Sequence, residues 1–193
     1  MSFPDLIITR LVEEPRDRAV SAILRAMAQA IDAGAEIEPE PERRDTTHRV
    51  VRTGPLDLPR RADFSICKSS RTLFCRVESE VASEGGAVTA RVGETFTVEI
   101  GAFAWDAAEI TIHAKAEPDW NPVRLWFLEW FQSRHSDVSP ELFGAVHSLD
   151  GPEPLPGGWG LTIDFGSAPA AVVPEFILAL AETGAEGATI GHR

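Results

Sequence analysis

Apolar residues recur at helical spacing through Val20, Ile23, Leu24, Met27 and Ile31, while Arg16, Arg18, Arg25 and Asp32 occupy other positions around the wheel. This spacing predicts an amphipathic helix packed along one side. Glu14 suits its cap and Pro15 its first turn, so the helix is expected to begin there, after Leu6-Ile7-Ile8 and Leu11-Val12, and to stop at Gly34. The run from Glu36 to Glu42 interleaves carboxylates with Pro39 and Pro41. Proline denies regular helix and like charges repel, so the run reads as an extended, solvated linker or loop. An arginine-rich stretch follows, with Arg43, Arg44, Arg49, Arg52, Arg60 and Arg61 against Asp45 and Asp57. Pairing with the chain's own acid is the expected fate of these cations.

From 62 to 100 the period changes to two. Leu73, Cys75 and Val77, then Val88, Ala90 and Val92, then Phe96, Val98 and Ile100 alternate with polar residues, which predicts antiparallel strands joined by turns at Ser69-Ser70, Ser83-Glu84-Gly85-Gly86 and Gly93-Glu94. In the last third a strand at 108–115 leads to Asn121 as N-cap and Pro122 at the first helical position. The helix is expected to bury Val123, Trp126, Phe127, Trp130 and Phe131. Strands at 142–149 and 159–166, separated by a Pro- and Gly-rich loop at 150–158, precede a helix that Gly184 stops and a short strand at 188–191. The fold class expected is therefore α+β, with antiparallel sheets carrying helices on one face. The order strand, helix, strand, strand, helix, strand resembles the ferredoxin-like βαββαβ motif in topology. That fold hosts many unrelated activities and implies no chemistry. The boundary expected lies between an N-terminal helix-and-strand part, 1–94, and the ferredoxin-like part, 95–193, with a single integrated fold as the alternative.

Charge changes the picture next. Thirty acidic residues against eighteen basic ones give a formal net charge of −12, and the excess falls after residue 61. Such a field repels phosphate backbones and anionic membrane surfaces and speeds encounter with basic proteins. Neither nucleic acid nor membrane is expected as a partner; a basic protein is. No stretch approaches the ~20 apolar residues that span a bilayer, and the start lacks the pattern of a secretory signal. A cytoplasmic location is expected, where Cys67 and Cys75 would be free, buried thiols.

With helices on one face of the C-terminal sheet, period two places Glu109, Thr111, His113, Lys115, His147, Thr162 and Asp164 on the other. Glu109, His113, His147 and Asp164 are the ligand-binding candidates, because two imidazoles and a carboxylate suit a divalent ion or a base oriented by Asp164. Polar residues are also what an open sheet face requires, and no diagnostic ligand spacing is present, so neither metal nor cofactor is expected. N-terminal strands laid over this face would instead bury His113 and make it structural. Ser167, His147 and Asp164 supply the residue types of a nucleophilic triad without a nucleophile-elbow pattern; Ser167 reads better as a local helix cap. Five tryptophans and no tyrosine are present. Trp126 and Trp130 read as core, whereas Trp105, Trp120 and Trp159 fall in predicted loops where an indole can anchor a partner. The expected function is a non-enzymatic binding protein with an acidic surface. The alternative is a small-molecule-binding domain or enzyme using His113, His147 and Asp164.

Overall fold

The computed structural model describes residues 3–68, 71–78, 87–133 and 141–191. The expected turns at Ser69-Ser70 and Ser83-Glu84-Gly85-Gly86 lie outside them. The architecture is α+β, with mostly antiparallel sheets. The first helix, α1, spans Phe3–Asp32 and ends before Gly34, whose φ of +79° suits a glycine past a helix terminus. It begins a full three turns earlier than Pro15 suggested. An interior proline costs about 3 kcal/mol through its missing N–H and its ring clash. Here the preceding turns bury Ile8 and Val12 in the main core, and Pro15 itself is buried.

The acidic run is a strand rather than a solvated linker. Strand β1 (Glu36–Pro39) pairs antiparallel with β4 (Phe64–Lys68), which pairs with β5 (Arg71–Cys75). Period two explains how: Ile37, Phe64 and Ile66 turn toward Val20, Ile23 and Met27 of α1, while Glu36 and Glu38 stay on the opposite, exposed face. Between them β2 (Arg52–Thr53) and β3 (Leu58–Pro59) form a two-stranded ribbon, and Leu58 is buried in the main core. Cys67 is exposed and Cys75 half-buried; both are free thiols, on opposite faces of their sheet. The expectation of burial fails for Cys67, which lies on the open outer face of this small sheet, while Cys75 packs half-buried on the inner face beside Phe64.

The main sheet has six strands in the order β6-β7-β11-β8-β10-β9. These are β6 (Val88–Val92), β7 (Phe96–Ile100), β8 (Ala108–His113), β9 (Ser148–Leu155), β10 (Gly158–Asp164) and β11 (Gly187–Ile190). Pairing is antiparallel except between β7 and β11, which makes the sheet mixed and larger than the four-stranded unit expected. Strand β9 runs through the Pro- and Gly-rich segment that read as a loop. It is an edge strand, where Pro152 and Pro154 remove donors that no neighbour needs. Helices α2 (Asn121–Gln132) and α3 (Val172–Ala181) pack together, and α1 packs on α3. The core lies between this helical layer and the sheet, where Trp126, Phe127, Phe176 and Ile177 meet Val98, Ile110, Ile112, Leu161 and Ile163. Asn121 lies inside α2 rather than capping it; its N–H donates to Asp119 Oδ1 at 3.0 Å. No helix among the described residues is long and apolar enough to cross a membrane.

Candidate functional site

Residues 40–63 lie over one end of β9 and β10, and there they enclose a polar cluster. After β1 the chain turns at Glu40, whose φ of +44° is unusual for a residue with a side chain and costs on the order of 1 to 2 kcal/mol. The turn aims its carboxylate inward, and the residue is 0% exposed. Glu40 Oε1 accepts from His147 Nε2 at 2.7 Å and from Ser167 Oγ at 2.5 Å, while Oε2 accepts the Phe143 N–H. Backbone bonds anchor the same junction: Arg61 N donates to His147 O and His147 N to Asp164 O, both at 2.9 Å. Arg61 fixes the covering segment from the other side. Its guanidinium donates to Glu40 O at 2.6 Å and Phe131 O at 3.0 Å and lies 4.5 Å from the Phe131 ring centroid.

The second ring nitrogen of His147 faces two more carboxylates. Nδ1 stands 3.0 Å from Asp63 Oδ1, an ion-pair contact whose direction is too poor for a hydrogen bond, so this buried nitrogen has none. Asp63 Oδ2 accepts the Val77 N–H at 2.5 Å, and Asp164 Oδ1 accepts the Gly166 N–H at 2.9 Å. Asp63, His147 and Asp164 are all buried, and one donor atom from each lies within 4.8 Å of the others, so this trio can hold a metal ion. Burial alone would lower the His147 pKa, but contacts with Asp63 and Glu40 and the charges of Asp164 and Glu40 outweigh it and raise the value to about 10. Burial raises Asp164 to about 6, the His147 charge opposing. Glu40 is held below the ordinary carboxylate range: its burial pushes upward, and His147, Ser167 and the Phe143 N–H together pull harder downward.

Two depressions adjoin the cluster. A cleft of about 110 Å³ is lined by Asp63 and Asp164 together with Cys75, Ser148 and the arginines 43, 60, 61 and 76. An open groove of about 710 Å³ runs over the outer face of the small sheet, lined by Glu38, Glu42, Asp45, Arg44, Phe74 and Phe143 among others. Arg61 and Phe74 border both.

Of the candidates read from the polar sheet face, His147 and Asp164 are brought together and His113 and Glu109 are not. His113 pairs with Gly158 and Ser148 pairs with Asp164, six positions apart along β10, which is roughly 20 Å of strand. His113 Nε2 instead meets Thr189 Oγ1 at 3.1 Å on β11, and Glu109 lines a separate depression with Asp150 and Thr162. Neither His147 nor Asp164 is on an open face, because residues 40–63 cover that end of it. Ser167 is wholly buried and donates to Glu40, not to His147, while accepting the N–H groups of Gly144 at 2.9 Å and Ala145 at 3.3 Å. It braces that loop rather than capping α3, which begins later. Trp105 is fully buried with Nε1 donating to Gly166 O at 2.9 Å, and Trp120 is buried edge-on to half-buried Trp159. Trp105 and Trp120 are packing elements rather than exposed anchors, and Trp159 keeps part of its surface exposed.

The sequence alone hides Glu40 and Asp63. Glu40 sits in a run of carboxylates whose other members face solvent. Asp63 precedes an apolar strand, between Ala62 and Phe64, and that placement was its only signal. Compared with protein-family models, curated proteins and solved structures, the chain matches none.

Proposed function

We propose that the chain is a non-enzymatic, cytoplasmic binding module that takes a basic segment of a protein partner into the groove over the small sheet. The observation that carries this reading is the lining of that groove. Glu38, Glu42 and Asp45 face it, with Glu40 beneath, and Phe74 and Phe143 supply aromatic surface. Arg44 is already held by Glu42 at 2.8 Å, and Arg61 is committed to backbone carbonyls. Carboxylates beside aromatic faces suit an arginine or lysine side chain, whose stem packs on the ring while its head pairs. The Arg43 guanidinium already lies over the Phe74 ring, 5.9 Å from its centroid. The net charge of −12 adds steering toward a cationic partner. Full burial of Ser167 and His147, both committed to Glu40, supports a binding role over nucleophilic catalysis.

The test is native mass spectrometry of the untagged protein isolated at low ionic strength, followed by titration with an arginine-rich peptide. A stoichiometric basic protein that leaves as salt rises, and loss of both interactions in the Glu38→Lys/Glu42→Lys variant, are expected. Peptide affinity that is absent, or unchanged in that variant, would overturn the reading.

A further inference from the structure

We infer that Asp63, His147 and Asp164 form a binding site for one divalent transition-metal ion, reached through the arginine-rimmed cleft. This inference is independent of the groove, which these three residues do not line.

Acidic clusters are common, but this one has a buried imidazole nitrogen directed into it. His147 is 0% exposed, and its Nδ1 makes no hydrogen bond. On the other side of the ring, Glu40 Oε1 accepts from Nε2 at 2.7 Å. A carboxylate on one imidazole nitrogen fixes the ring orientation and leaves the other nitrogen to meet an ion once it has given up its proton, and it is the usual support behind a metal-bound histidine. Glu40 is itself fixed by Ser167 and the Phe143 N–H. Gly166 leaves room for this ring position, since a Cβ there would lie 2.5 Å from Nε2.

Spacing and charge agree with this assignment. The three donor atoms lie within 4.8 Å of one another; an ion bound at roughly 2.1 Å needs neighbouring donors about 3 to 3.5 Å apart, a difference that carboxylate rotation closes. Glu40, Asp63 and Asp164 are three buried carboxylates around one imidazole. Buried negative charge in excess of its partners is costly, and a dication removes the excess. Asp63 and Asp164 also line the cleft of about 110 Å³, which gives an ion a way in and leaves room for water in its remaining positions. One imidazole with two carboxylates is a mixed donor set that selects zinc- or manganese-type ions over calcium.

Zinc alone, titrated calorimetrically into the untagged, chelator-stripped full chain, is expected to bind at one site per chain. Asp164→Asn is expected to weaken it at least 10-fold, and Glu40→Gln, outside the ligand set, about 10- to 100-fold. His48→Ala and His113→Ala are expected to leave it unchanged. Substoichiometric manganese, added to the wild-type protein in an NMR measurement that needs no variant to fold, should broaden the His147 ring signals before those of the other histidines. No saturable site in the wild type, equal zinc affinity in Asp164→Asn, or broadening that spares His147 would overturn the inference.

Discussion

Glu40 Oε1 and His147 Nε2 meet at 2.7 Å although 107 positions separate the two residues in the chain. The contact fastens the strap that follows β1 to the end of the main sheet. Both side chains are excluded from solvent, so neither can fall back on water if its partner is lost.

Glu40→Ala therefore removes the acceptor for three groups at once: His147 Nε2, the Ser167 hydroxyl and the Phe143 N–H. Deleting one member of a buried ionic network costs about 3 to 5 kcal/mol, because the remaining groups stay buried and uncompensated. Urea unfolding should show a lower midpoint with an unchanged slope. Glu40→Gln, which keeps one acceptor oxygen, should lose less. Equal stability of wild type and Glu40→Ala would mean that water enters and solvates the cluster.

Gly166 is held at φ +54°, and a Cβ there would meet His147 Cδ2 at 2.3 Å and Ala145 O at 2.6 Å. Gly166→Ala must therefore strain the backbone and push the imidazole away from Glu40. About 1 to 3 kcal/mol of destabilisation is expected from the left-handed conformation alone, with the steric overlap adding to it. Thermal melting reads the loss, and a displaced His147 ring resonance in the folded variant identifies its origin. A variant that melts with the wild type would show that the loop from 165 to 168 relaxes freely.

The C-terminal elements were legible because each carries its own local signal. Val123, Trp126, Phe127, Trp130 and Phe131 repeat at helical spacing and are all buried in α2, and Ile110, Ile112, Leu161 and Ile163 alternate as the strands require. Half of the polar cluster was legible for the same reason, since alternation placed His147 and Asp164 on the face away from the helices. What hid the rest was tertiary override. Glu40 and Asp63 acquire their role only when the strap folds across the sheet end, and their sequence neighbours Glu38, Glu42 and Arg60 remain at the surface or half-buried. Pro15 and the prolines of β9 misled in the opposite direction: local rules say break, while burial of Ile8 and Val12 and a vacant sheet edge allow the element to continue.

Pro15 offers a test in which two effects oppose each other. An alanine would restore the donor to Leu11 O and relieve the ring, which is worth up to about 3 kcal/mol in a helix interior. Removing two ring methylenes from a buried site costs about 1 to 2 kcal/mol of apolar burial. The larger effect predicts that Pro15→Ala raises the melting temperature. A lower melting temperature would show that the proline ring fills space that the helix cannot close.

Trypsin provides the last test, because the strap carries six arginines in unequal settings. Arg44, Arg49 and Arg52 are exposed, whereas Arg61 is half-buried with its N–H donating to His147 O at 2.9 Å, and Arg60 O accepts from Arg43 N at 2.8 Å. A protease needs an extended, accessible backbone, so cleavage after Arg49 should precede cleavage after Arg60 or Arg61. The nick should not separate the pieces. Ile8 and Val12 of α1 and Leu58 of β3 pack in the same core as Ile110, Phe127 and Phe176, and the fragment ending at Arg49 also carries Glu40 into the His147 cluster. The two fragments are expected to elute together in size-exclusion chromatography under native conditions and to part only in denaturant. Release of a folded fragment beginning near residue 95 would show that the C-terminal strands and helices are stable without the strap, and that the Glu40–His147 contact contributes little to holding the chain together.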